Sequence, residues 1–216
     1  MFYRISNDEG LRKKYTNAFL LGECEESVGA CLKCGYEVEC SLNPCNTNPM
    51  VLIKENYADF IPYYVSFNIV SMRFKEIAEH EGLVGLTFER AEIISADDMS
   101  ESDKRELRTD GVPLKKAPPE YYKLNVKYGA VYHERSKIIV KSFCDKCGTK
   151  IYATKGHDWV ESGEEYPDIL DAKSIRGYDI FMAEGYGITH FCTERFYSVY
   201  KKYNLTGLLF TPIDVL

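Results

Sequence analysis

The chain has 216 residues, of which 45% are hydrophobic and 13% aromatic, and it carries a formal charge of −6. These values predict a globular protein with a substantial core, and the sequence has no apolar run long enough for a membrane helix. The N-terminus lacks the basic start and apolar core of a secretion signal, so we expect a cytoplasmic protein. The negative charge disfavours broad electrostatic binding to nucleic acid and is compatible with a basic protein partner.

The first fifty residues are rich in cysteine and contain the motif CLKCG, from Cys31 to Gly35. In a reducing cytosol, such cysteines are more typical of metal ligands, redox groups or buried apolar residues than of disulfides. A second copy of the pattern, CDKCG, runs from Cys144 to Gly148. The question is whether the two motifs are separate devices or halves of one.

An internal repeat follows the first motif. Residues 71–94 align without a gap to residues 193–216, with six identities in twenty-four positions. In each copy a hydroxyl residue, Ser71 or Thr193, is placed as a helix N-cap, and apolar residues then recur with helical spacing. A Gly or Asn ends each helix, and alternating apolar residues predict a strand after it. Apolar runs before Ser71 and Thr193 predict a preceding strand, so each copy reads as a strand-helix-strand unit.

Each predicted helix carries an arginine one turn from its start, Arg73 in the first copy and Arg195 in the second. We expect both to be structural and to pair with a nearby carboxylate or loop carbonyl. Between the units, residues 95–120 are polar and contain proline, which predicts a surface connection with a short helix near Ser102–Arg108. Three strand-like runs and an acidic stretch follow, at residues 121–128, 130–136, 137–143 and 156–172.

Taken together, these patterns predict an α+β fold. It consists of two related strand-helix-strand units and a β-rich, zinc-ribbon-like region joined by the paired CxxCG knuckles. We expect one compact domain with five successive parts: an N-terminal segment with the first knuckle, the first unit, the surface connection, a β-rich segment with the second knuckle, and an acidic loop with the second unit. Their ranges are 1–50, 51–94, 95–120, 121–155 and 156–216.

The paired motifs predict a structural zinc site. Two cysteines separated by two residues can turn their sulfurs to one point, and the following glycine permits the tight turn. One pair supplies only two ligands, whereas structural zinc takes four in a tetrahedron, so we expect one zinc ion held by Cys31, Cys34, Cys144 and Cys147. The 109 residues between Cys34 and Cys144 exceed the usual spacing of about fifteen to twenty residues, but a whole subdomain can be inserted between knuckles.

Two alternatives for the cysteines remain open. A local site could use the N-terminal cluster alone, namely Cys24, Cys31, Cys34, Cys40 and Cys45. A redox motif would need a helix after CxxC, but both motifs are followed by β-forming residues. The eighth cysteine, Cys192, is expected to be a buried apolar residue. The four histidines are scattered and no catalytic motif is recognisable, so we expect a protein that is not an enzyme.

The two CxxCG motifs, the segment GYDIF (Gly177–Phe181) and the ending TERFYSVYKKYNLTGLLFTPIDVL together resemble the bacterial double-CxxCG motif family. Members of that family are associated with contact-dependent toxin systems, in which they act as cognate immunity proteins. The resemblance implies a protein that binds and neutralises a toxin, such as a basic nuclease, by stoichiometric occlusion. This chain departs from the family in lacking a proline beside the first motif and in carrying extra cysteines, which affects the choice of zinc ligands.

A nucleic-acid-binding zinc ribbon is the alternative from another functional class. Zinc ribbons often bind nucleic acid through basic residues around their knuckles. Here the local basic set is modest and stands against an acidic background. It consists of Lys33, Lys141, Lys146 and Lys150.

Overall fold

The computed structural model describes residues 1–6, 18–20, 33, 49–52, 56–63, 66–109, 119–136, 138–146, 148, 150–154, 169–184 and 189–216. These residues form an α+β fold dominated by strands, which confirms the predicted class. The described α-helices are α1 (Met72–Glu81), α2 (Glu101–Thr109) and α3 (Glu194–Lys202). The described strands are β1 (Phe2–Ser6), β2 (Ala18–Leu20), β3 (Met50–Leu52), β4 (Phe60–Tyr63), β5 (Ser66–Ser71), β6 (Leu86–Arg90), β7 (Tyr121–Val126), β8 (Tyr128–Val131), β9 (Ile138–Phe143), β10 (Lys150–Thr154), β11 (Ile169–Leu170), β12 (Ile180–Glu184), β13 (His190–Thr193) and β14 (Leu209–Val215). None of the described helices is long and apolar enough to cross a membrane.

Both repeat helices begin and end where the sequence indicates. The hydroxyls of Ser71 and Thr193 each accept a hydrogen bond from a backbone amide one turn into α1 or α3. Gly82 ends α1 with φ of 63°, and Asn204 follows α3 with φ of 50°. Glycine and asparagine adopt these left-handed angles at the lowest cost, so both predicted stops are confirmed.

Twelve of the fourteen described strands form two six-stranded sheets. Their strand orders are β3-β2-β4-β5-β7-β6 and β11-β14-β1-β13-β12-β8. Each sheet curls so that its two end strands approach one another. In the first sheet, Met50 of β3 bridges to Ile93, just beyond β6, and in the second, Leu170 of β11 bridges to Tyr132, just beyond β8. Buried apolar side chains fill the inside of each curl; they include Ala18, Met50, Leu52, Ile61, Ile69 and Tyr121 in the first, and Ala130, Leu170, Phe181, Ala183 and Phe191 in the second.

The two sheets repeat one arrangement. The antiparallel pairs β4-β5 and β12-β13 lead into the repeat helices, and each pair has a parallel neighbour, β2 or β8. Met50 bridges to Ile93 in the same parallel sense in which Leu170 pairs with Val215. The duplication therefore extends over most of the described chain and well beyond the two aligned segments of the sequence.

Each half of the chain places its first strand in the sheet of the other half. β1 lies between β13 and β14, and β7 lies between β5 and β6. The registers correspond, since Phe2 opposes Thr193 just as Tyr121 opposes Ser71. Neither sheet is complete without strands from both halves.

The outer faces of the two sheets and the helices α1 and α3 share one aromatic core. Phe60, Phe74 and Phe196 are buried there, with ring centroids 4.4 Å apart for the first pair and 6.1 Å apart for the last. Aromatic rings attract one another at these separations. Cys192 is buried in the same cluster, which confirms its predicted apolar role, and burial raises the pKa of its thiol.

The connection and the later strands follow the prediction with one correction. α2 confirms the short helix near Ser102–Arg108, and β7 and β9 match two of the three predicted runs. The predicted strand at 130–136 is wrong beyond Val131, where a 3-10 turn forms instead. The buried Ser136 hydroxyl donates to the Ile169 carbonyl at 2.7 Å and accepts from its amide at 3.0 Å, which holds the chain in that turn. Most of the predicted acidic loop, residues 156–168, lies outside the described residues.

Candidate metal centre and charged surfaces

The second CxxCG motif is the tip of a two-stranded hairpin. β9 and β10 pair antiparallel on either side of it, and the Gly148 amide donates to the Cys144 carbonyl at 2.8 Å. Gly148 has φ of 75°, so the backbone supplies the permissive turn that the sequence predicts. Cys144 is buried, whereas Asp145 and Lys146 are exposed. A strand follows this motif, in agreement with the β-forming residues there, whereas an activated redox motif would precede a helix.

The two motifs are in contact. Lys33 lies inside the first, and its ammonium pairs with the carboxylate of Asp145 inside the second, 112 residues away. Of the four predicted zinc ligands, Cys144 is described, whereas Cys31, Cys34 and Cys147 lie outside the described residues, as do Cys24, Cys40 and Cys45. Within the described part of the chain, which thus holds one predicted ligand, no three His, Cys, Asp or Glu side chains form a metal-binding group.

A buried aspartate that the sequence patterns did not single out anchors the first unit. Asp59, just before β4, accepts from the Ser71 hydroxyl at 2.8 Å and from Arg73 at 3.2 Å. It also accepts from the amide and hydroxyl of Thr206, at 3.0 and 3.1 Å. One carboxylate therefore joins the start of α1 to the loop after α3.

Asp179 makes the corresponding set of contacts in the second unit. Its carboxylate accepts from the Thr193 hydroxyl at 3.3 Å, from Arg195, and from the Val84 amide at 3.0 Å. Both aspartates are buried, and both sets include the N-cap and the arginine of one unit with a backbone amide of the other. We call Asp59 and Asp179 with their partners the reciprocal latch.

The arginines complete the latch, and their predicted structural role is confirmed. Besides its carboxylate, Arg73 donates to the carbonyl of Tyr203 at the end of α3. Arg195 donates to the carbonyls of Glu81 and Gly82 at the end of α1. Each arginine thus caps the helix of the other unit, where exposed carbonyls favour a positive charge.

Of the motifs that carry the family resemblance, the segment GYDIF and the C-terminal segment contribute residues to this latch. A Cβ added at Gly85 would lie 2.4 Å from the Ile180 carbonyl oxygen, and one at Gly207 would lie 2.1 Å from that of Phe60. These are corresponding contacts, so GYDIF and the repeated glycines serve close packing between the halves. Their presence is explained by the fold, and interaction residues have to be sought elsewhere on the molecule.

Charge is distributed unevenly over the sequence. Residues 76–103 contain nine carboxylates and one arginine, a formal charge of −8. Within this stretch Glu76, Glu79, Glu89 and Glu92 are exposed on α1, on β6 and just beyond it. We call the exposed carboxylates of this stretch the acidic surface.

The duplicated half provides an internal comparison for this surface. Glu76 and Glu79 on α1 correspond to Ser198 and Lys201 on α3, and all four are exposed. The same scaffold therefore folds with neutral or positive residues at these positions. The negative charge at these two positions of the first unit is therefore not a requirement of the fold.

No protein-family model matches this chain, and no curated protein matches it.

Proposed function

We propose that this protein is a non-enzymatic immunity protein that binds a cognate bacterial toxin in the cytoplasm and neutralises it. The family resemblance motivates the proposal. The observation that carries it is that two carboxylates of the acidic surface, Glu76 and Glu79, are replaced by Ser198 and Lys201 in the duplicated half without loss of the fold. Residues that a scaffold does not require are candidates for binding a partner, and the negative charge favours a basic toxin such as a nuclease.

The mechanism is stoichiometric occlusion by a preorganised surface. The reciprocal latch ties both units at two places, and a rigid binding surface loses little conformational entropy on association. Charge on such a surface mainly accelerates encounter, because opposite potentials steer the partners together. The toxin's active site is covered for as long as the complex lasts.

One structural zinc ion, held by Cys31, Cys34, Cys144 and Cys147, completes the proposal. The contact between Lys33 and Asp145 supports a shared site, since it joins the centres of the two motifs. In the latch, the aspartate of each half accepts from a backbone amide of the other half. Such an exchange of equivalent contacts is the pattern that a twofold axis produces. A tetrahedron also has twofold axes that exchange its corners in pairs, so two related knuckles can supply its four ligands. Four thiolates would close the metal's shell and fasten the halves together.

The toxin proposal is tested by exchanging charges between corresponding positions. In the variant Glu76→Lys/Glu79→Lys, the association rate with the toxin encoded beside this gene should fall by about tenfold at low salt. The matched variant Ser198→Glu/Lys201→Glu changes the same positions on α3 and should not slow association. Surface plasmon resonance at two salt concentrations measures both. Equal effects of the two variants, or no binding by the wild-type protein, would refute the proposal.

The zinc proposal is tested by metal analysis of single Cys→Ser variants. The wild-type protein should contain one zinc per chain, and serine at any of the four proposed ligands should lower that content. Serine at Cys24, Cys40 or Cys45 should leave it unchanged, which separates the shared site from the local N-terminal alternative. Retention of full zinc after Cys144→Ser would count against a shared site.

A further inference from the structure

The hairpin of β9 and β10 presents one face that combines apolar, aromatic and basic residues. Val140 lies opposite Tyr152, and Phe143 lies opposite Lys150, so each pair shares a face of the hairpin. The register shifts between these pairs because Lys141 is the extra residue of a β-bulge. The bulge brings Val140 and Phe143, three residues apart, to the same side. We call these four paired residues the hairpin face.

The hairpin face is open to solvent although it contains large apolar side chains. Phe143 is 60% exposed and Val140 50% exposed. Within the described chain, β9 and β10 form a two-stranded sheet of their own. Such a ribbon buries little apolar surface, and an uncovered aromatic ring at its end is typical of an interaction site.

The charge around the hairpin is opposite to that of the whole chain. The hairpin, residues 138–154, contains Lys141, Lys146 and Lys150 against one carboxylate, Asp145, a formal charge of +2 in a protein of −6. Lys141 and Lys146 flank Phe143 in the sequence, and both are exposed. Lys150 donates to Glu184 at 3.2 Å, so its charge is partly compensated. The overall charge, which argues against nucleic acid, therefore does not describe this region.

A further aromatic residue lies on the neighbouring strand. Tyr128 of β8 is 41% exposed and pairs with Met182 of β12, the strand that also carries Glu184. The ion pair between Lys150 of β10 and Glu184 of β12 places the hairpin next to these two paired strands, β8 and β12. Exposed aromatic rings interspersed with lysines are the pattern that binds single strands, because bases stack on the rings while cations neutralise the phosphates.

We propose that the hairpin face binds single-stranded nucleic acid, with a base stacked on Phe143 and phosphates contacted by Lys141 and Lys146. This activity is separate from toxin neutralisation and does not depend on it. The basic hairpin and the acidic surface are different segments of the chain, so a nucleic acid and a basic protein would contact different residues.

Fluorescence anisotropy of fluorescein-labelled oligo-dT and oligo-U of about twelve nucleotides tests the proposal with the full-length protein. We expect binding at protein concentrations up to about 100 μM in low salt. Phe143→Ala should weaken it about fivefold or more, and Lys141→Glu/Lys146→Glu should abolish it. Two phosphate contacts give a slope of log K against log salt of about −1.4. Leu216→Ala, a change at another exposed apolar residue, is the control that should leave binding unchanged.

The proposal would be overturned if the wild-type protein did not bind. It would also be overturned if Phe143→Ala and the lysine double variant both bound as tightly as the wild type. Polyglutamate of matched charge, added as a competitor, tests whether the hairpin face binds an acidic protein segment instead of nucleic acid. If it competes as well as the oligonucleotide and Phe143→Ala has no effect, the nucleic-acid proposal is wrong. Thermal melting of each variant verifies that it is folded. If Phe143→Ala proves unstable, a Lys141→Glu variant replaces it in the test, because Lys141 is exposed and lies outside the core.

Discussion

Replacement of Gly207 by alanine is the sharpest test of how the two halves fit together. Gly207 has φ of 104°, and an added Cβ would lie 2.1 Å from the Phe60 carbonyl oxygen and 3.2 Å from the Cβ of Ala58. Phe60 is itself buried at the centre of the aromatic core. The methyl group can therefore be accommodated only by moving β4 or the loop after α3.

The expected cost has two parts. The positive φ alone costs an alanine about 1–2 kcal/mol. Restoring an ordinary contact distance requires a shift of roughly 1 Å in a packed core, which costs about 1–3 kcal/mol. Gly207→Ala should therefore lower the free energy of unfolding by about 2–5 kcal/mol and the melting temperature by roughly 5–15 °C.

Gly177→Ala separates the two parts. Gly177 has φ of 70°, but an added Cβ would meet no atom within 4 Å, so only the backbone cost of about 1–2 kcal/mol applies. Urea unfolding followed by circular dichroism measures both variants under the same conditions. If Gly207→Ala is no less stable than Gly177→Ala, the close approach between the halves does not constrain position 207, and the packing cost is refuted.

Two further predictions concern the latch and its surroundings. Asp59→Ala and Asp179→Ala should each lower the free energy of unfolding by about 2–4 kcal/mol, because each leaves a backbone amide and a hydroxyl without an acceptor; a loss below about 0.5 kcal/mol in urea unfolding for either would contradict the reciprocal arrangement. Hydrogen bonds from Lys202 and Tyr203 lower the pKa of Glu81 below its ordinary value of 4.5. The stability this gives is present above pH 4.5 and lost as pH falls through the lower folded pKa. The difference in melting temperature between wild type and Glu81→Gln should therefore shrink in acid, and a difference constant from pH 7 to pH 3 would show that the pairing has no effect.

Local patterns in the sequence predicted the parts of the fold that local forces determine. Ser71 and Thr193 cap helices by bonding to amides three residues away, and Gly82 and Asn204 stop them through their own backbone preferences. Such features depend on neighbours in the chain and are visible in a short window.

The latch and the strand exchange depend on distant neighbours. Asp59 precedes an apolar strand like many turn residues, and nothing nearby indicates that it accepts from Thr206, 147 positions away. The arginines could be assigned a carboxylate or carbonyl partner by type, but the choice of Tyr203 for Arg73 follows only from the packing of two units. Asp59 and Gly207 lie at one contact between the halves, and Asp179 and Gly85 lie at the corresponding contact. The role of these residues becomes clear only when the packing of the two halves is known. The same holds for the bulge at Lys141, which sets the side on which Phe143 emerges.

The exchanged first strands have a consequence for the order of assembly. β1 is synthesised long before its two neighbours, β13 and β14, since Phe2 pairs with Thr193 and Ile213. The second sheet therefore closes only after β13 and β14 have been synthesised, and its slow step is a search between segments far apart in the chain. Until then the slot between β13 and β14 presents unpaired strand edges, which are prone to association with other chains. A peptide of the first six residues would compete for that slot during refolding, and cleavage between the halves would yield two pieces that need each other to fold.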